Sequence, residues 1–157
     1  MSTRGSTLTA LRKALLGLLV IGNVGTLVEL LLLKHTDGVW QLAPLLLSGA
    51  TLLVLVWFAI AGSATALRAL GVVLAFGLVS GGVGVVQHLR GNLAYAKDSN
   101  PSLAGRELYV EAVMGSTPTL APGMMVQLAL IGFAFLFRHP RLRGVTSDDA
   151  LPLSRSN

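Results

Sequence analysis

Glu29 is a carboxylate within a run of aliphatic residues, 14–33, that is long enough to cross a bilayer. An ionisable side chain in such a run costs about 2.5–3.5 kcal/mol on insertion scales, so its default meaning is a site facing protein or water. His35 follows the end of that run and His88 lies near the end of another, which puts both imidazoles at the outer membrane interface. Two imidazoles and a carboxylate can bind zinc, copper or a similar divalent metal ion. Glu29, His35 and His88 are therefore the candidate metal ligands. A structural role is also open to Glu29, hydrogen-bonded to Asn23, Gln127 or backbone. None of the His-x-x-x-His or Glu-x-x-His pairs of di-metal helical bundles accompanies them.

Glu107 and Glu111 form a second pair, four positions apart on a short helix. Like charges at that spacing cost a few tenths of a kcal/mol, which a bound cation would reverse. The alternative is a solvated face with Arg106 beside it. His139, between Arg138 and Pro140, reads as a residue of the opposite interface in contact with lipid headgroups.

The elements that must position these groups are membrane helices. Of 157 residues 53% are hydrophobic and 12% charged, half the charge of a soluble domain. The mean hydropathy is +0.72. The stretches 14–33, 38–67, 69–89 and 112–137 carry almost no charge over spanning length. Backbone polar groups inside a bilayer are satisfied by helices or closed barrels, and no strict alternation supports strands. The expected fold is an all-α integral membrane four-helix bundle, spans 41–62, 68–89 and 119–137 following the first, with a cytoplasmic tail 138–157 expected to be disordered. The first run is longer than a signal peptide's apolar region and has no clear cleavage site, so an uncleaved first helix is expected.

Charge sets the orientation. Arg4, Arg12, Lys13, Arg68, Arg138, Arg141, Arg143 and Arg155 fall on one side, which the positive-inside rule makes cytoplasmic. Both termini are then inside, in a multi-pass protein of the plasma (inner) membrane. The net charge of +5 is explained by this asymmetry and does not indicate nucleic-acid binding. With no cysteine, disulfides, thiol redox chemistry, thiolate ligands and covalent haem attachment are all excluded.

The outer loop, 90–118, is the long connection. Asn100-Pro101 reads as a helix N-cap followed by proline at the first helical position, opening a short amphipathic helix over 103–114. Pro118 and Pro122 crowd the entry of the last span, so regular helix is expected only from about Leu120.

Helical period then assigns faces. Gly77, Gly81, Gly84 and His88 share one stripe; Gly22, Gly25 and Glu29 share another, with Asn23 and Thr26 beside it. Gln41, Pro44, Ser48 and Thr51 share a third, and Gly123, Gln127 and Ala134 a less regular fourth. If these stripes face one another, the bundle packs tightly near the cytoplasm and opens outward into a polar pocket. Glu29, His35, Gln41, Ser48, His88 and Gln127 would line it, with Glu107 and Glu111 at the mouth. The function expected is binding of a small ligand or metal ion. The alternatives are a structural accessory subunit of a larger membrane complex, or an oligomeric proton- or cation-coupled transporter. Partners are the lipid bilayer and other membrane subunits or a second copy. An enzyme is the least supported class: the Gly81-Gly82-Val83-Gly84 cluster lacks a following lysine, and no nucleophile motif is present.

Overall fold

The computed structural model describes residues 3–115 and 117–143. Among these the chain is all-helical: α1 (Thr3–Leu32), α2 (Val39–Ala61), α3 (Ala64–Ser99), α4 (Gly105–Val113) and α5 (Gly123–Leu136), then a 3-10 turn, Pro140–Leu142. Helices α1, α2 and α3 are long and apolar enough to cross a membrane, and they fit a membrane helical bundle. Helix α5 is apolar but has only 14 residues. At 1.5 Å per residue it measures about 21 Å, short of the roughly 30 Å hydrocarbon core.

The turns between helices follow from local chemistry. Lys34 takes φ 48° after α1. The amide of His35 then donates to Leu30 and that of Lys34 to Leu31, which satisfies carbonyls the helix end would leave open. Gly62 takes the left-handed conformation, φ 58°, that closes α2. Ser63 caps α3, its hydroxyl accepting from the Ala66 amide at 3.1 Å. A connection this short forces α2 and α3 to run antiparallel.

α1 packs on α2 and α5, and α3 on α2, α5 and α4. Antiparallel pairing of α3 with α5 is read from opposed neighbours: Gly71 faces Leu136, Gly77 faces Met125 and Gly84 faces Pro122. The core consists of Leu19, Leu55, Leu67, Leu70, Leu74, Leu128, Ala129 and Phe135. Glycine permits close approach to backbone at Gly81, where a Cβ would lie 3.0 Å from the Pro122 carbonyl oxygen and 2.9 Å from Val126 Cγ2. That proximity covers the irregular entry to α5. There, i to i+3 bonds (Ala121 to Pro118, Gly123 to Leu120, Met125 to Pro122) replace regular helix, and α5 begins three residues beyond Leu120.

Two expectations about the long connection are corrected. Helix α3 does not stop at residue 89 but continues to Ser99, 36 residues in all. Asn100 is its C-cap, and the Asn100 Oδ1 accepts from the amide and hydroxyl of Ser102 in a local turn. It therefore ends one helix instead of starting the next. Helix α4 begins at Gly105 after Ala104, inside the expected 103–114. The tail is corrected over 138–143, which is ordered against the bundle; 144–157 lie outside the described residues.

Candidate functional site

Each expected pocket residue can be followed to its place. Helix α1 turns Leu19 and Asn23 inward, at 0% and 2% exposure. Glu29 lies six residues past Asn23, about 240° further round at 3.6 residues per turn, and is exposed. Gly25 is exposed as well, with nothing within 4 Å of where a Cβ would be. The expected enclosure of Glu29 is thus corrected: α1 is rotated so that its core-facing residues are Leu19 and Asn23. Among the described residues the Glu29 carboxylate has no hydrogen bond or ion pair. Asn23 does not reach it, because its Nδ2 donates to the Leu19 carbonyl at 2.8 Å.

The remaining candidates do not converge on a pocket. Gln41 Oε1 accepts from the Asp37 amide at 3.0 Å and so fastens the turn before α2. Ser48 is fully buried and donates to Met125 Sδ at 3.5 Å. Gln127 is exposed, because α5 turns Met125, Leu128, Ala129, Gly132 and Phe135 inward, and Ala134 is exposed with it. The stripe expected on that helix is corrected accordingly. Glu107 and Glu111 are both exposed on α4. Among the described residues no three His, Asp or Glu side chains stand close enough to hold a metal ion, so Glu29, His35 and His88 are not gathered into one site.

His88 and Asn92 are instead the polar centre of this end. The His88 Nδ1 lies 2.9 Å from the Pro118 carbonyl oxygen. A carbonyl only accepts, so Nδ1 carries the proton and a neutral ring keeps its lone pair on Nε2. One turn on, Asn92 is 4% exposed. Its Nδ2 reaches the carbonyl oxygens of Ala112 at 2.9 Å and Thr117 at 2.7 Å, and Thr119 Oγ1 at 3.1 Å. The buried Thr119 hydroxyl donates in turn to Ala112 at 3.3 Å. Gly115 is required beside this node, since a Cβ there would stand 2.9 Å from Asn92 Cγ. The end of the bundle expected to open is drawn together by these bonds.

Asn92 escaped the sequence reading, although a signal was present. The stripe Gly77, Gly81, Gly84, His88 continues by fours to Asn92 and Ala96, both buried. Reading 90–118 as a loop broke that period one step too early.

A second cluster lies at the opposite end. His139, expected among headgroups, is 8% exposed and packed between Phe58 and Phe135, at ring-centroid distances of 5.9 and 5.3 Å. Its Nδ1 has no hydrogen-bond partner among the described residues. Burial, then the charges of Arg12 and Arg141, lower its pKa from the usual 6.5. The Arg12 Nη2 donates to the Arg138 carbonyl at 3.1 Å, just past the C-terminus of α5, where a cation is favoured. Arg141 lies over the Phe58 ring, 5.3 Å from its centroid.

No protein-family model, curated protein or solved structure matches this chain.

Proposed function

We infer that this protein is an accessory subunit of a larger membrane assembly, and that α1 is its docking helix. The carrying observation is Glu29: a carboxylate in an apolar helix, exposed on the bundle surface and without a partner among the described residues. A charge turned toward lipid is costly, and protein or water is its usual neighbour. Ile21 and Leu32, at 72% and 79% exposure, flank Gly25 and Glu29 at helical spacing on the same side. Small and apolar residues bracketing an acid form a surface on which another transmembrane helix packs closely, with its own Lys or Arg opposite Glu29. This reading takes precedence over an internal ligand pocket, because the acid that was to line the pocket points away from the core.

The topology proposed with it has four crossings and both termini in the cytoplasm of a plasma (inner) membrane protein. The short α5 completes the fourth crossing together with the turns at 117–122. In support, α5 runs alongside α1 from Gly22 against Leu128 to Arg12 against the Arg138 carbonyl. The basic residues near α5's end and in the first turns of α1 and α3 agree with the positive-inside rule.

Photo-crosslinking residues placed singly at Ile21 and Leu32, with Val72 and Phe76 as controls on α3, test the reading in native membranes. Crosslinks to one discrete protein, made from α1 and lost in Glu29→Gln, are expected. Equal labelling from both helices, or crosslinks indifferent to Glu29→Gln, would overturn it. A product of twice the chain's own mass would replace the foreign partner by a second copy.

A further inference from the structure

On the surface between the start of α2 and the middle of α3 runs an open groove of about 470 Å³. Its polarity is graded along α3. Val79, Gly82 and Val86 line one part, while Gln87 and Arg90 stand at the end where the apolar run gives way to charge. From Val79 to Arg90 is eleven residues, about 16 Å along a helix, or roughly the depth of one leaflet. Trp40, 64% exposed, forms the wall contributed by α2. A tryptophan at this level belongs to the interfacial aromatic belt.

Two features of the groove suit an amphiphile. Gly82 is exposed, and a Cβ there would meet nothing within 4 Å, so the space beside it is open to an acyl chain. Arg90 is exposed and has no hydrogen bond or ion pair among the described residues. A fork of guanidinium donors matches a phosphate in charge and in geometry.

We propose that this groove is a site for one phospholipid of the adjoining leaflet, anionic in preference, its acyl chain over Gly82 and its headgroup phosphate on Arg90. The gradient fits an amphiphile: the chain lies along valines and the phosphate meets a cation at the interface. The inference is independent of the docking role assigned to α1, since it uses another face and different residues.

Native mass spectrometry of the detergent-purified full chain, supplied with phosphatidylglycerol or with phosphatidylcholine of the same chains, tests it. One retained phosphatidylglycerol is expected, in preference to phosphatidylcholine. Arg90→Gln should weaken retention about tenfold, the value of one charge-assisted contact. Gly82→Leu should abolish it by filling the groove while leaving thermal unfolding unchanged or raised. Retention that is equal in wild type and both variants would overturn the site. So would full competition by soluble glycerol phosphate, which would make the ligand a free anion. A change in dimer fraction instead of lipid retention on Gly82→Leu would make the groove a contact between copies and end the lipid assignment.

Discussion

The Asn92 amide donates to the Thr117 carbonyl oxygen over 2.7 Å, joining positions 25 residues apart and tying α3 to the entry of α5. Two protons on one nitrogen serve three acceptors from the long connection, counting Ala112 and Thr119. Replacing Asn92 by leucine, which keeps the bulk and removes the donors, takes away the side-chain bonds to the Ala112 and Thr117 carbonyls and leaves the buried Thr119 hydroxyl without its donor. A loss of about 2 kcal/mol is expected, with more in Asn92→Asp, whose carboxylate faces the same oxygens. Thermal unfolding in detergent measures the loss. Faster protease cleavage within 100–118 should accompany it, and unchanged stability in both variants would remove the node from the account.

Gly81 and Gly82 are neighbours in sequence with opposite environments. A Cβ at Gly81 meets the Pro122 carbonyl oxygen and Met125 Cβ, each at 3.0 Å, which are backbone and near-backbone atoms that cannot swing aside. Gly81→Ala is expected to destabilise by about 1–3 kcal/mol through forced separation of α3 and α5. Gly82→Ala meets nothing, and should be neutral or stabilising by up to about 1 kcal/mol from helix propensity. Comparing the two unfolding temperatures under one condition checks both. Equal effects would mean that the two helices are not in this register.

His139 should make stability depend on acidity. In the folded protein burial, with Arg12 and Arg141, loosens the imidazole's hold on its proton, while the unfolded chain titrates near 6.5. The unfolded state therefore binds more protons in acid. The contribution to stability is complete above about pH 6.5 and is lost as pH falls from there through the lowered folded value. His139→Phe keeps a ring between Phe58 and Phe135 and removes the titrating group together with its unpaired nitrogen. Its unfolding temperature should fall less than wild type's between about pH 7 and pH 5. Parallel pH profiles would exclude His139 as the source.

Glu29 has no hydrogen bond or ion pair among the described residues. Glu29→Gln should therefore leave unfolding of the purified protein within about 0.5 kcal/mol of wild type, as for a surface change. A large loss would mean that the carboxylate has a partner inside the bundle, and the docking role of α1 would fall with it.

Much of the architecture is legible in the sequence. Charge-free runs of spanning length marked α1, α2 and α3, and prolines 118 and 122 delayed the start of α5, which is shorter than its run. The glycine spacing of α3 pointed to its buried face, because small residues at that interval have few uses in a helix except close approach. Ser48 and Thr51 likewise marked the buried face of α2.

What composition and period left open was the rotation of α1 and α5 about their own axes. In a soluble protein the apolar stripe must face inward, so the pattern sets the angle. Beside lipid, leucine is as well placed outside as inside, and the pattern loses that power. Packing alone decided that Leu19 and Asn23 turn to the core and Glu29 away, and that Met125 and Leu128 displace Gln127. The continuation of α3 to Ser99 was hidden for a related reason: beyond Leu89 its residues turn polar, as a helix emerging into water should. The stripe of small residues runs on to Asn92 and Ala96, and contact with α4 and the turns before α5 gives them an interior to face.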